Sequence, residues 1–427
     1  MGDGVAEGVF MRVLKVVALM AVGLVASSAL VACSSSTSQT SSSSTSQTSS
    51  SSTSQTGTRT VAKGHDAITA GYEHTCAVLS GGTVQCWGNN SYGQLGDGTT
   101  TDSNVPVSVT GLTGVTAIAA GGSHTCALLS AAMVQCWGWN PGGQLGNGTT
   151  TDSNVPVSVT GITGVTAIAA GGTHTCALLS GGTVQCWGDN TYGQLGNENV
   201  QSGKETNTNS NVPVSVTGLI GVTAITAGLD HTCALLSAGT VHCWGWNADG
   251  ELGNGTNAGP QTCGAFACST VPVSVGGLTG VTAISAGYNL TCAVLSGGTA
   301  QCWGTNTDGQ LGNGTNTDSN VPVSVTGLIG VTAISAGTTC ALLSAGTVQC
   351  WGDNEYGQLG NGTNTGSNVP VSVTGLTGVT AISAGYAKHA CALVSDKAIQ
   401  CWGDNEYGQL GNGTNTKSNV PVSVSGL

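Results

Sequence analysis

The sequence predicts an all-β fold, a seven-bladed β-propeller, on three observations. A Trp-Gly pair returns seven times, each pair is preceded by two cysteines spaced C-x9-C, and the runs between are short, β-branched and broken by Gly and Asn. The recurring tryptophans are Trp87, Trp137, Trp187, Trp244, Trp303, Trp351 and Trp402. Their period of about fifty residues marks a unit that cannot bury its own apolar face and must stack on its neighbours.

The third copy shows the unit. Residues 165–170 (VTAIAA) end in Gly171-Gly172, and 175–179 (TCALL), a Ser180-Gly181-Gly182 turn and 183–187 (TVQCW) follow. After a loop that opens DNTYGQLGN comes 212–216 (VPVSV). This reads as strand–turn–strand rather than helix. No stretch of the repeat carries apolar residues at i, i+3, i+4 and i+7 without a Gly interruption. Four strands in each of seven units suit a closed ring, which limits exposed sheet edges.

The cysteines support the hairpin. Placing Cys176 opposite Cys186 leaves a three-residue loop, a length that commonly needs a left-handed residue of the kind Gly supplies. Directly opposed residues at a non-hydrogen-bonded site lie roughly 4.5 Å apart at Cα, within disulfide range. Seven cross-strand disulfides are expected: Cys76–Cys86, Cys126–Cys136, Cys176–Cys186, Cys233–Cys243, Cys292–Cys302, Cys340–Cys350 and Cys391–Cys401. The loop-entropy model assigns each about 2–3 kcal/mol. Zinc is disfavoured, because C-x9-C is not a usual zinc spacing and no second ligand pair lies near in sequence.

Composition narrows the class. The 427 residues include 69 Gly, nine Trp against two Phe, and only 7% charged residues, which excludes a helical globule. A net charge of −12 argues against nucleic acid, whose phosphates would be repelled. The basic residues after position 57 (Arg59, Lys63, Lys204, Lys388, Lys397 and Lys417) are scattered and form no patch.

The first 33 residues carry the marks of export. Arg12 and Lys15 precede an apolar run, 16–32, that ends Leu30-Val31-Ala32-Cys33 with no stop-transfer charges beyond it. LVAC resembles a bacterial lipobox, in which the Cys becomes the lipidated first residue of the mature chain, and either Met1 or Met11 serves as the start. Removing Cys33 from the seventeen cysteines leaves sixteen, the seven pairs plus Cys263 and Cys268, an even set that fits an oxidising compartment. Residues 34–57 repeat STSQTSSS without charge, so they read as a flexible tether, at most about 80 Å long when extended. The expected organisation is a signal segment at 1–32, lipidated Cys33 and tether at 33–58, and the propeller at 59–427, exported, lipid-anchored to a bacterial membrane and facing the periplasm or exterior.

The repeat region resembles the RCC1 (regulator of chromosome condensation) type. The resemblance rests on the recurrent string AAGG-x-HTCALL…WG-x-N-x-x-GQLG-x-G, as in 169–179 and 187–196, and covers most of the chain. It implies a seven-bladed propeller but no single activity. Relatives of this type include a nuclear exchange factor for a small GTPase, chromatin-binding proteins, a plant photoreceptor and a bacterial inhibitor of β-lactamase, so function has to come from the site.

The copies differ from one another. His74, His124, His174, His231 and His389 precede a first Cys, whereas the fifth copy has Leu290 and the sixth is shortened to GTTC before Cys340. Equivalent positions on different blades diverge and cannot meet at one ion, so an imidazole-to-backbone hydrogen bond is expected rather than a metal ring. The repeat tryptophans read as core between blades, whereas Trp139 and Trp246 lie two residues beyond, in loops, as candidate binding anchors. The NGT triplets at Asn147, Asn254, Asn313, Asn361 and Asn412 are explained by turn chemistry, and Asp102, Asp152 and Asp318 lack calcium-loop spacing. Two insertions, 198–211 and 255–270, lengthen the loop before the last strand of the third and fourth copies. The second holds Cys263 and Cys268, whose closure would present Phe266 as a binding residue, unless Phe266 tucks onto the blade.

No catalytic constellation appears, and neither cofactor nor metal is expected. The favoured function is a non-enzymatic, envelope-tethered module that binds a protein partner through its propeller loops. The alternatives are a secreted enzyme inhibitor or sensor, and a polysaccharide-active enzyme whose nearest channel carboxylates would be Asp189, Asp353 and Asp404.

Overall fold

A computed structural model describes residues 67–198, 208–263, 265–386, 388–395 and 398–427. The signal segment, Cys33, the tether and the greater part of the first insertion lie outside the described residues. The first blade consists of β1 (Ala67–Ala70), β2 (His74–Val78), β3 (Val84–Gly88) and β4 (Ser103–Ser108), hydrogen-bonded in that order as an antiparallel meander. Seven sheets follow one another along the chain, six of four strands and the fourth of five, and they form a β-propeller without helices among the described residues. In the third copy the strands run Val165–Ala170, His174–Leu179, Val184–Gly188 and Ser210–Ser215, within two residues of the runs read from sequence.

Each strand has a composition suited to its radius. The inner strands are built of small residues, AITA in the first blade and VTAISA in the fifth and seventh, because seven of them converge on one axis. The second strands (HTCALL) are buried almost throughout. The outer strand, SNVPVS, is the sheet edge. Its Pro removes a backbone donor there, and Ser103 Oγ donates to the Val105 carbonyl (2.7 Å), so the edge is a poor template for further pairing.

The central hairpin is tied by sulfur. Cys176 pairs with Cys186 in register, and all seven C-x9-C pairs are bridged, with Cα–Cα distances such as 4.0 Å for Cys76–Cys86 and 4.1 Å for Cys176–Cys186. The left-handed loop residue is the third, Gly182 (φ 72°), rather than the central Gly181. The second blade places Ala132 there at φ 57°, a conformation that crowds its Cβ.

The cores lie between blades. In one of them Cys176, Cys186 and Leu195 of the third blade enclose Trp244 of the fourth. All seven repeat tryptophans are buried in this manner. The last Gly of each GQLG string lies on the indole of the next blade: a Cβ on Gly146 would stand 2.7 Å from Trp187 Nε1, so only Gly fits. The ring closes without strand exchange. The seventh blade keeps its own outer strand, Ser418–Ser423, and meets the first side by side, with Gly413 N donating to the Asn104 carbonyl (2.9 Å).

Candidate protein-binding face

A polar clamp repeats at the blade junctions. His74 Nε2 lies 2.9 Å from Thr125 Oγ1 of the next blade, and that hydroxyl donates to the Gln94 carbonyl (2.9 Å). The hydroxyl has one proton, already committed to Gln94, so the imidazole must carry its proton on Nε2 and donate. Trp137 Nε1 donates to the same carbonyl (2.9 Å). The arrangement recurs from His124 to Thr175, His174 to Thr232, His231 to Thr291 and His389 to Thr75. The imidazole therefore bonds a neighbouring side chain, not backbone as the sequence suggested, because closure of the ring sets the next blade's Thr within hydrogen-bond reach of Nε2. Burial pulls the pKa down to about 3 for His74 and His174 and to about 4 for His124, His231 and His389, so these rings are neutral.

Two junctions lack the clamp. Leu290 replaces the His of the fifth blade, and Ala390 replaces the Thr of the seventh. There Trp351 and Trp402 still donate to the Gln310 and Gln358 carbonyls (2.9 Å each).

The axis is closed. Inner-strand Ala, Ser and Thr residues surround a cavity of about 60 Å³, and Tyr386 crosses it. The Tyr386 hydroxyl donates to the Ala170 carbonyl (2.9 Å), with the Ala227 carbonyl at 3.3 Å, and burial raises its pKa. Asp189, Asp353 and Asp404 do not line this channel, which removes the carboxylates proposed for polysaccharide chemistry there. Each follows a Trp-Gly pair in the loop before an outer strand, which leads away from the axis. Among the described residues no group of three or more His, Cys, Asp or Glu is placed to hold a metal.

The copies diverge at one end of the ring. The residue before the clamp position (a His, or Leu290 in the fifth blade) accepts a backbone hydrogen bond from the residue after Trp-Gly, which sets two variable positions side by side. The pairs are Glu73 with Asn89, Ser123 with Trp139, Thr173 with Asp189, Asp230 with Trp246, Asn289 with Thr305 and Lys388 with Asp404. Among the described residues the opposite end carries similar short turns of Ser, Gly and Ala; Asp396 and Lys397 of the seventh copy lie outside them.

Two sectors of this variable face stand out. In the first, Trp246 packs edge-on against Tyr192 (4.5 Å between centroids) and tilts over Phe266 (4.7 Å). Phe266 sits on an extra hairpin, Gln261–Cys263 with Phe266–Ser274, closed by the Cys263–Cys268 disulfide. Phe266 is both packed and 46% exposed, so the two readings of it from sequence meet. Asp189 and Asp230 lie beside the cluster; burial, then Asp189, pushes Asp230 up to about 6, and burial with both carboxylates raises Tyr192. In the second sector Lys388 Nζ lies over Tyr356 (5.3 Å) and Tyr72 (5.7 Å). Partial burial opposes its charge, but Tyr72, Tyr356, Asp404 and Glu73 more than offset that and raise its pKa.

Of the three anchors predicted, Trp246 and Phe266 come together, whereas Trp139 lies apart, against Tyr92 (6.1 Å). Tyr192, Asp230, Lys388 and Tyr386 were not anticipated. Asp230 and Lys388 occupy positions where copies differ, a signal present in the aligned repeats. Glu251 was also missed, though it is the one departure from GQLG. It is buried, accepts from Asp249 N (3.0 Å), and burial pushes it up to about 8.

Fold and face define the class, a disulfide-bridged seven-bladed propeller with one variable end. The chain belongs to the regulator of chromosome condensation (RCC1) repeat family, whose model matches residues 81–128, 134–178, 181–235, 238–294, 298–343, 345–393 and 400–427. It is similar to the ultraviolet-B receptor UVR8 of Arabidopsis thaliana, 36% identical over 99 residues, covering 23% of this chain and 21% of that one. It also resembles protein pim1 of Schizosaccharomyces pombe, 35% identical over 111 residues, 24% of this chain and 21% of that one. These matches span about a fifth of the relatives' length. Among solved structures, human WBSCR16 superposes with a TM-score of 0.70 at 25% identity, covering 80% of this chain and 93% of that one. Yeast RCC1 (Prp20), solved with Kap60 bound, gives 0.68 at 20% identity, covering 86% of each chain, and shows the fold alone. Propellers of this family commonly serve as protein-interaction modules, and its members are generally non-enzymatic binders or exchange factors.

Proposed function

We propose that this protein is a non-enzymatic docking module that binds a protein partner through its variable face, held at the cell envelope by lipid on Cys33. The observation that carries the reading is the segregation of difference. Among the described residues the units keep closely similar short turns at one end, whereas they place unlike Tyr, Trp, Phe, Asp, Glu and Lys residues at the other. Packing alone would favour equal residues at equal positions, as it does for the seven tryptophans. Exposed aromatics on a rigid, disulfide-held scaffold lose little entropy on binding and are frequent hot spots. The lipid anchor is supported by LVAC at 30–33 and by the even cysteine set that remains after it.

The test is affinity capture from envelope extracts with the full chain, a Trp246→Ala/Phe266→Ala variant, and an Ile220→Ser/Ile329→Ser variant changed in the loops at the opposite end. Loss of the captured protein in the aromatic variant alone is expected. Loss only in the isoleucine variant overturns the reading. Incorporation of labelled palmitate that disappears in Cys33→Ala supports the anchor, and undiminished incorporation refutes it.

A further inference from the structure

We propose that the patch formed by Tyr192, Trp246 and Phe266, with Asp189 and Asp230 beside it, receives the guanidinium or ammonium group of a basic segment of the protein partner. This rests on the docking function above and names the chemistry of the occupant.

The molecule supplies its own precedent. In the sector where the seventh blade meets the first, two tyrosine rings and the nearby carboxylates of Glu73 and Asp404 surround one ammonium, that of Lys388. Lys388 is the residue immediately before the clamp His389. In the sector of the third and fourth blades the corresponding residue, before His231, is Asp230. The aromatic rings and acids are again present, but a carboxylate stands where the cation would enter. Of all the Lys and Arg residues, only Lys388 and Lys417 are described, and both lie at Tyr356, in the other sector.

The electrostatics agree with an occupant of positive charge. Asp230, partly withdrawn from water and facing Asp189, is costly to ionise and gains from a nearby cation. Three aromatic faces offer the quadrupole that attracts such a cation, most strongly a guanidinium, which also stacks. The chain's net charge of −12 steers basic partners toward it from a distance. A saccharide would use the rings and hydrogen-bond the acids, but it would gain nothing from two carboxylates crowded together.

The experiment is titration calorimetry of the full chain with acetylated tetra-arginine amide, and with the same peptide carrying citrulline in place of arginine. Citrulline keeps the planar shape, exchanges one NH2 donor for a carbonyl acceptor and removes the charge. The arginine peptide is expected to bind at least about tenfold more tightly, an advantage that shrinks with added salt. Trp246→Ala and Asp230→Asn should each weaken it by roughly 5- to 30-fold, the range of one cation–π contact or one charge-assisted bond. Asp230→Lys, which recreates the arrangement at Lys388, should abolish binding while circular dichroism and melting temperature hold. Asp308→Asn, in another loop of the face, should leave it unchanged. Equal affinity for the citrulline peptide, undiminished binding by Asp230→Lys, or binding of chitotriose in place of the arginine peptide overturns the proposal. Partner capture lost in Trp246→Ala/Phe266→Ala but kept in Asp230→Lys would refute the cation and leave the docking function standing.

Discussion

The junctions between blades two to four and those between blades five to seven are held by different bonds. At the second–third and third–fourth junctions the His–Thr–carbonyl clamp is complete, through His124 and His174, but the inner strands offer Ala119 and Ala169, which have no hydroxyl. At the fifth–sixth and sixth–seventh junctions the clamp is gone, and Ser285 Oγ and Ser335 Oγ accept from Ala336 N (3.1 Å) and Ala384 N (3.0 Å). The remaining three junctions have both. Thr69, Thr226 and Ser383 accept from the next blade's Ala120, Ala286 and Ala70 amides beside a complete clamp. No junction lacks both. The lesson is that a ring needs every seam closed but tolerates either of two polar bonds, provided the indole-to-carbonyl bond and the buried Trp remain.

Acid should break the comparison most. The five clamp histidines are neutral when folded and have depressed pKa values, so the unfolded chain binds more protons below about 6.5. Their stabilisation is complete above that pH and falls as pH drops toward 4, by up to about 1.4 kcal/mol per pH unit for each ring. Amide exchange at pH 5 should therefore rise first along the clamped seams, and the fifth–sixth and sixth–seventh seams should keep their protection. Glu251 acts in the opposite sense: its raised pKa removes stability as pH rises from about 4.5 through about 8, and Glu251→Gln should flatten that limb.

Thr232→Val should cost about 1–3 kcal/mol, since it strands the His174 Nε2–H in a buried site. Thr125→Val, at a seam that Thr69 also closes, should cost less; urea unfolding of the two variants gives the ranking. Ser335→Ala, at a seam with no clamp, should cost about 1 kcal/mol, and the change should be smaller for Thr69→Ala. The smallest effect is a gain. Ala132→Gly relieves the one left-handed alanine of the hairpin loops and should raise stability by up to about 1 kcal/mol, read as a melting temperature a few degrees higher.

The clamp shows where reading the sequence stops. The five histidines and the two irregular copies were visible in the aligned repeats, yet the partner of each ring lies in another blade, 51 to 60 residues on for four of them and back at Thr75 for His389. Local patterning has no term for that distance. Trp246 and Phe266 were legible because a two-residue offset and a cysteine pair singled them out. Tyr192 was not, because its position in the loop is also tyrosine in the first, sixth and seventh copies, where it meets neither Trp246 nor Phe266. Tyr386 carried no signal at all: the residue before it is the ordinary Gly of the inner turn, and only the axis reveals that its hydroxyl reaches blades three and four.

What the chain alone determined is everything held within one hairpin or one repeat: strand order, Cys176 opposite Cys186, the turn at Ser180-Gly181-Gly182, the count of blades. These depend on residues within a few positions of one another, where alternation, Gly placement and loop length leave one register. What the tertiary structure decided is which unlike side chains meet across blades, the closed axis, the two kinds of seam, and a cation that stands over Tyr72 and Tyr356 while none of the described residues places one beside Asp230. Those depend on the angle between successive sheets and on closure into a ring, quantities set by all seven interfaces together and written in no single copy.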